Sequence, residues 1–232
     1  MRALVCIPTY NECENILPII DSVLRENPGA NILVIDDNSP DGTATLVKNL
    51  MTTNARVNLL SRSGKQGLGK AYLAGFNWGL QNSYDVIVEM DADFSHRAVD
   101  LKKIIAAAHS SDFVIGSRYV KGGGTIHWGL IRKIISRGGS LYSRLILGYP
   151  VSDWTGGFNA WRRHVLEQID LTQVGSEGYS FQIELKYRAC KKNFKFQEVP
   201  ILFEDRRVGQ SKMRTQIVLE ALWRVWMMRF KI

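Results

Sequence analysis

Five short apolar runs, at residues 4–7, 32–35, 57–60, 86–90 and 113–115, recur along the first half of the chain with helix-length spacers between them. Runs of this length suit strands buried inside a sheet rather than helices. Their alternation with helical segments predicts βαβ units and a mainly parallel α/β sheet. Such a sheet binds ligands beyond the carboxyl ends of its strands, so chemistry is expected in the residues that follow each run.

After the first run comes Pro8-Thr9-Tyr10-Asn11-Glu12, in which Pro8 is expected to stop the ladder and Asn11 to cap a helix running through Glu14 and Ile20. After the second comes Asp36-Asp37-Asn38-Ser39-Pro40-Asp41-Gly42-Thr43, with Pro40 expected near the first position of the next helix. Asp36 and Asp37 stand where carboxylates accept from ribose hydroxyls or a base edge, although both segments also suit ordinary strand-to-helix connections. The third run is followed by Arg62-Ser63-Gly64-Lys65-Gln66-Gly67-Leu68-Gly69-Lys70, a basic, glycine-rich helix entrance of the kind that favours phosphate, without the Walker A order. The fourth ends in Asp91-Ala92-Asp93. Side chains at i and i+2 of a strand point the same way, so the two carboxylates converge on one Mg²⁺ or Mn²⁺ if the backbone stays extended through them. A D-x-D pair alone is as often a solvated turn. The fifth run ends in Gly116-Ser117-Arg118.

Beyond these runs, Lys121-Gly122-Gly123-Gly124-Thr125 reads as a flexible segment. A helix then carries Arg132 and Ser136 on one face, four residues apart, and an apolar helical portion covers residues 141–147. Asp153-Trp154-Thr155-Gly156-Gly157-Phe158, a helix near residues 178–190 and a strand near 196–200 follow.

With 232 residues, 45% of them hydrophobic, and no linker or repeat, the chain suits a single domain over residues 1–232. Cys6, Cys13 and Cys190 show neither a disulfide framework nor metal spacing, which fits a reducing cytosol. The first apolar run is too short for a signal peptide, and nothing approaches the roughly 20 apolar residues of a membrane span. The net charge of +8 lies at one end: residues 186–232 hold 12 Lys+Arg against 4 Asp+Glu. Such an end attracts nucleic acid, an anionic membrane surface or a phosphorylated substrate, or is a solvated face. Residues 215–232 form an amphipathic pattern, with Glu220, Arg224 and Lys231 on a polar stripe and Leu219, Leu222, Trp223, Trp226, Met227 and Phe230 on an apolar arc. A membrane-interfacial helix and a core-packing or dimer-forming helix share it. A tryptophan helix in place of an aromatic sheet motif argues against nucleic acid.

The motifs acquire meaning jointly. Ile7-Pro8-Thr9-Tyr10-Asn11-Glu12, the Asp36 to Thr43 turn, Met90-Asp91-Ala92-Asp93-Phe94-Ser95-His96, Gly116-Ser117-Arg118 and Val199-Pro200-Ile201-Leu202-Phe203-Glu204-Asp205-Arg206-Arg207-Val208-Gly209-Gln210-Ser211-Lys212 occur in order. Over nearly the whole chain this resembles the dolichol-phosphate (polyprenol-phosphate) mannose synthases of glycosyltransferase family 2. Arg132-x-x-x-Ser136-Arg137-Gly138 and Ser152-Asp153-x-Thr155-Gly156-Gly157-Phe158 resemble that family's acceptor-side motifs. The resemblance implies a GT-A fold, with a Rossmann-like, mainly parallel central sheet flanked by helices. It implies that Pro8, Tyr10, Glu12, Asp36 and Asp37 hold the nucleoside, while Asp91, Ala92, Asp93, Arg206 and Lys212 complete the donor site. Asp91 and Asp93 would carry the metal, Arg118, Arg132 and Ser136 the acceptor phosphate, and Asp91, Asp93, Arg118 and Arg206 the catalytic set. Ser95 stands where some relatives have glutamine as a third metal-side ligand; its shorter hydroxyl leaves either direct ligation or a bridging water. The implied substrates are GDP-mannose and a polyprenyl or dolichyl monophosphate, with inversion at the sugar. The implied location is cytoplasmic, peripheral to the cytosolic membrane face, at the lipid surface or on a membrane-anchoring partner protein.

The chemistry of the residue types agrees. A leaving nucleoside diphosphate needs a metal and nearby cations. An alcohol acceptor needs a general base, whereas a phosphate monoester, with second pKa about 6, is anionic at neutral pH and needs guanidinium forks. Arg118, Arg132, Arg137, Arg206 and Arg207 supply them. Asp153 and Glu184 are the carboxylates a hydroxyl-directed enzyme would use as base, with turn capping and solvent exposure as their alternative roles. The Q-x-x-R-W motif of processive polysaccharide synthases is absent. Sugar and base are not legible in the motifs, so a UDP-glucose-dependent polyprenyl-phosphate glucosyltransferase is the alternative. A non-catalytic nucleotide-binding, membrane-peripheral protein is the alternative of another class.

Overall fold

The protein is described by a computed structural model covering residues 1–205 and 215–232, with side chains in the last helix from Leu222 onward. Arg206 and Lys212, both expected in the donor site, lie outside the described residues.

The expected apolar runs become β1 (Ala3–Thr9), β2 (Ala30–Asp36), β3 (Val57–Ser61), β4 (Val86–Glu89) and β5 (Phe113–Ser117). Helices α1 (Ile16–Glu26), α2 (Thr43–Met51), α3 (Leu68–Gln81) and α4 (Ala98–Ala107) connect them. After β6 (Gly124–Ile126) come α5 (Leu130–Leu147), β7 (Asn159–Arg162), α6 (Arg163–Gln168) and α7 (Gly178–Lys191). The chain continues through β8 (Phe196–Pro200), β9 (Leu202–Glu204) and α8 (Thr215–Lys231).

The seven-stranded sheet has the order β3-β2-β1-β4-β7-β5-β8. Among the described residues β7 alone runs antiparallel, wedged between β4 and β5. The chain winds outward through β2 and β3 and then returns to β4 on the other side of β1, pairing Cys6 with Glu89. The order reverses at β1 and β4, and ligands of such sheets bind outside the strand ends at that reversal. The loops carrying Tyr10 and Asp91 are therefore neighbours at the place the topology favours.

Period-two alternation divides the core. Leu4, Cys6, Leu33, Ile35 and Ile87 face α3, α6 and α7, while Val5, Ile7, Ile32, Val34 and Val88 face α1, α2 and α4. Each such side chain contributes about 1.5–3 kcal/mol by leaving water. Helix α3 lies close on its face because Gly75 and Gly79 turn toward the sheet; a Cβ at either would stand 2.5 Å from Ile35 or Ile87.

Several local expectations give way to different geometry. Pro8 does not stop the first ladder, since β1 runs through Thr9 and aligns with Asp36. Asn11 caps nothing; it is a left-handed turn residue (φ 61°), and α1 starts later, at Ile16. Helix α2 starts at Thr43 rather than near Pro40, because Gly42 (φ 88°) makes the turn and Asp41 Oδ1 accepts from the Thr43 amide. The expected flexible segment contains β6, which pairs in parallel with β9. Helix α5 runs unbroken through Gly138 and Gly139. In α8, Val225 and Met228 are buried, as the core-packing reading expects, while Trp223, Trp226 and Phe230 are exposed on the other face.

Candidate active site

The carboxylates expected on the donor side are held by partners both near and distant along the chain. Asp36 accepts at Oδ1 from Thr9 Oγ1 (2.9 Å) and Ser39 Oγ (2.6 Å), and at Oδ2 from the Ser39 amide (2.9 Å). Asp37 takes the Arg62 guanidinium at 2.7 Å, with both side chains largely buried. Burial pushes the Asp37 carboxyl up, and Arg62 offsets only part of that rise. Asp41 is lowered to about 2: slight burial opposes this, but the Thr43 hydroxyl and amide and the Cys13 amide hold the anion. Glu12 accepts from Asn15 Nδ2 at 2.8 Å, and its own amide donates to Thr43 Oγ1 at 3.1 Å. Tyr10 is exposed, with the Lys65 ammonium 4.2 Å from its ring centroid. Pro8 lies beside them at the end of β1. The glycine-rich entrance to α3 already has a carboxylate beside it, the side chain of Glu177 at Gly67.

Asp91-Ala92-Asp93 lies past the end of β4 on a bent loop, so the extended backbone expected there is absent. Other side chains orient the pair instead. Tyr72 of α3 donates to Asp91 Oδ1 at 3.1 Å, and its phenol is raised well above its ordinary range by burial and the nearby carboxylates. The Asp91 amide donates to His96 Nδ1 at 3.0 Å, leaving the imidazole proton on Nε2. Asp93 Oδ1 accepts from the Ser95 amide (3.1 Å) and hydroxyl (2.5 Å). Ser95 thus positions Asp93. Among the described residues no group of three or more His, Cys, Asp and Glu forms a metal cluster. Two carboxylates are what Mg²⁺ or Mn²⁺ takes from a protein when substrate phosphates complete the shell, so these residues fit such an ion.

The acceptor-side residues are assembled across long stretches of chain. Arg118 grips Asp153 through Nε (2.7 Å) and Nη2 (2.6 Å), and Nη2 also donates to Thr155 Oγ1 at 2.9 Å. Both side chains are buried. Burial would push the Asp153 carboxyl up, but the Arg118 guanidinium outweighs it and holds it below the ordinary range. Arg118 is therefore committed to the protein more deeply than a surface phosphate ligand. Behind this pair Lys186 Nζ donates to the carbonyls of Asp153, Trp154 and Gly156, at 3.0, 3.1 and 2.7 Å. Tyr119 donates to Ser136 Oγ at 2.7 Å. Arg132 pairs with Asp205 at 2.6 Å and lies 4.0 Å from the Trp128 ring centroid, with Arg118 5.4 Å from the same ring. The expected trio Arg118, Arg132 and Ser136 thus forms one cluster.

An aromatic bridge joins the two sides. His96 stacks on Phe158 (4.6 Å) and meets Phe203 edge-on (5.3 Å), and Phe203 meets Trp128 edge-on (5.3 Å). Tyr72, His96, Tyr119, Trp128 and Lys186 are the site residues that sequence reasoning missed. Tyr72, Tyr119 and Lys186 act through partners far along the chain, whereas His96 serves Asp91 five residues before it and Trp128 lies four residues before Arg132.

Asp153 and Glu184 are both buried and paired with a guanidinium, Asp153 with Arg118 and Glu184 with Arg188. Glu184 is buried, accepting from the Ser176 amide and from Arg188, rather than facing solvent. Paired carboxylates at the strand ends and guanidinium groups across an aromatic bridge define an α/β protein suited to group transfer between two phosphorylated partners.

Residues 4–170 match the Glycosyl transferase family 2 domain. The chain belongs to that family of glycosyltransferases. It is 47% identical over 226 residues to the polyprenol monophosphomannose synthase of Mycolicibacterium smegmatis, covering 97% of this chain and 85% of that protein. It is 46% identical over 223 residues to the undecaprenyl-phosphate mannosyltransferase of Micrococcus luteus, covering 96% and 91%. In fold it is similar to a mannosyltransferase of Pyrobaculum calidifontis solved with GDP-Man and Mn²⁺ (TM-score 0.58, 16% identity, 98% of this chain and 72% of that one). It is likewise similar to S. aureus TarS 1-349 solved with UDP-GlcNAc (TM-score 0.66, 16% identity, 98% and 66%).

Proposed function

We propose that this chain transfers mannose from GDP-mannose to a polyprenyl monophosphate, giving polyprenyl-phosphate β-mannose. The observation that carries the geometry is the pairing of Asp153 with Arg118: the acceptor side offers guanidinium groups, and its buried carboxylate is tied up as the counter-ion of Arg118. A phosphate nucleophile needs no base. Its oxygen attacks the anomeric carbon, the bond to the GDP oxygen breaks with its electron pair, and the sugar configuration inverts. Asp91 and Asp93 would hold Mg²⁺ or Mn²⁺, which when bound supplies charge neutralisation at the leaving diphosphate. Asp36, Asp37, Tyr10 and Glu12, with Pro8 and Ala92, would take the nucleoside side. The two mannosyl-transferring relatives support mannose and the polyprenyl phosphate; the Pyrobaculum enzyme's bound GDP-Man and Mn²⁺ support the donor and the ion.

The same reading puts the protein at the cytosolic membrane face. No helix of the described residues is long and apolar enough to cross a membrane. Helix α5 presents Leu130, Ile134, Leu141 and Leu145 to solvent along one stripe, and α8 presents Trp223, Trp226 and Phe230 (79% exposed). The helices touch through the Tyr142 hydroxyl, which donates to the Leu222 carbonyl at 3.2 Å. Lys133, Arg137 and Arg144 border the α5 stripe. An apolar face rimmed by bases suits an anionic lipid surface.

The test gives purified protein GDP-mannose or UDP-glucose, with Mg²⁺ or Mn²⁺, and a short polyprenyl phosphate or the matching alcohol. Mannosyl transfer to the phosphate alone is expected, with loss of activity in EDTA. Preference for UDP-glucose would overturn the donor, use of the alcohol would overturn the base-free mechanism, and nucleotide binding without transfer would leave a non-catalytic protein. Sedimentation with phosphatidylglycerol vesicles but not neutral ones is expected; no vesicle binding would overturn the membrane placement.

A further inference from the structure

The acceptor cluster holds more hydrogen-bond donors than the protein satisfies. Trp128 is 8% exposed, and its indole Nε1 is buried with no hydrogen-bond partner among the described residues. Arg132 Nε is in the same condition, although Asp205 occupies its Nη1. These orphans belong to neighbouring side chains, the guanidinium lying over the indole ring at 4.0 Å. Buried donors are rarely left without partners, so adjacent ones call for a ligand that accepts.

The hydroxyls point the same way. Ser136 Oγ receives the Tyr119 hydroxyl, and Thr155 Oγ1 receives Arg118 Nη2. Each accepts one bond and still has its own hydrogen to donate. The two oxygens are 3.5 Å apart, and Ser140 Oγ is equally far from Thr155 Oγ1, distances too long for a good O–H···O bond. Indole and guanidinium donors thus lie in the same cluster as two hydroxyls with hydrogens to spare, and a group with several acceptor oxygens is the ligand that suits such a set.

We propose that Trp128 and Thr155 are further ligands of the acceptor's phosphate monoester, the indole N–H and the Thr155 hydroxyl donating to its oxygens beside Arg132 and Ser136. The ring of Trp128 has a second duty, holding Arg132 by cation-π contact. This rests on the acceptor-phosphate reading of the site, and the experiment separates the two.

Protein labelled with ¹⁵N-tryptophan gives six indole N–H resonances, one per tryptophan, and the one missing from Trp128→Phe belongs to Trp128. Should Trp128→Phe fail to fold, Trp128→Tyr serves the same assignment. Farnesyl phosphate is titrated into wild-type protein with GDP and Mg²⁺ present. The Trp128 resonance is expected to move downfield. Trp128→Phe and Thr155→Val are each expected to raise the acceptor KM about tenfold, with the GDP-mannose KM unchanged, as loss of one bond to a charged group predicts. If wild type turns over farnesyl phosphate while the resonance stays put and both variants keep the wild-type acceptor KM, the inference falls and the acceptor reading stands. If wild type does not use the phosphate, the reading itself falls.

Discussion

The proposed donor and acceptor sides of the site differ in how much of their geometry is local. On the donor side three carboxylates take a partner two or three positions away, Asp36 from Ser39, Asp41 from Thr43 and Asp93 from Ser95, while Arg62 reaches Asp37 and Tyr72 reaches Asp91 from farther along the chain. On the acceptor side the partners are distant: Arg118 and Asp153 are 35 residues apart, Tyr119 and Ser136 are 17, and Arg132 and Asp205 are 73. A turn that organises itself carries little of the fold's stability, whereas a buried ion pair that ties β5 to the loop before β7 carries much. Substitutions in the donor-side turns should therefore remove chemistry and spare the fold, and those in the buried acceptor-side pair Arg118–Asp153 should damage both.

The largest effect tests the first half of that statement. Asp93→Ala is expected to lower kcat about a thousandfold or more by removing a carboxylate from the ion that neutralises the leaving group. Its thermal unfolding curve should overlay that of wild type. Activity within tenfold of wild type would remove Asp93 from the metal site, and a large drop in melting temperature would erase the contrast between the sides.

The next effect tests the second half. Asp153→Ala leaves the Arg118 guanidinium buried without its counter-ion, which costs about 3–5 kcal/mol. Urea unfolding should show it as a lower midpoint. The pair also gives acid sensitivity with a definite sign. Asp153's carboxyl lies below its ordinary value of 3.8 in the folded protein, so its contribution is complete above that value. It is lost as pH falls through the lowered folded pKa. Asp153→Asn should accordingly unfold with a shallower acid limb below pH 3.8 than wild type; parallel limbs would show that the pair contributes no pH dependence.

The same contrast explains what could be read in the sequence. The parallel strands were legible because buried strands are apolar runs, and the D-x-D loop because its position after a run is itself local. β7 was not: Asn159–Arg162 is a four-residue strand with two polar ends, inserted by tertiary pairing between β4 and β5. Asp91 illustrates the division within one motif. Its place at the end of β4 follows from the pattern, but its orientation comes from Tyr72 on α3, brought there by glycines that let the helix lie close. Arg118 was legible as a cation, and its burial against Asp153 was not, because nothing local marks two residues 35 positions apart as partners. Helix α8 could be read only as amphipathic; which face met α5 and α7 depended on where those helices lie.

Arg132→Ala should raise the acceptor KM about ten- to hundredfold, the loss of a charge-assisted contact, while the GDP-mannose KM stays within a factor of two or so. Arg132 is only partly buried and its partner Asp205 is exposed to solvent, so little stability should go with it. Equal rises in both KM values would break the division between the sides, because they would place Arg132 against the donor as well.

Ser95→Ala is the smallest change and the sharpest probe of the donor side. Asp93 keeps the Ser95 amide at 3.1 Å and loses only the hydroxyl at 2.5 Å, so half of its local support survives. Loss of one bond to a charged group, partly covered by the other, predicts about a fivefold rise in the Mn²⁺ concentration needed for half-maximal rate. A hydroxyl that only aims the carboxylate can be compensated by mass action, so kcat at saturating Mn²⁺ should return to the wild-type value. A hydroxyl bound to the ion itself cannot, and kcat would stay depressed at every metal concentration. That outcome would move Ser95 from orienting Asp93 to ligating the metal, and the turn after Asp93 would contribute a ligand rather than only an orientation.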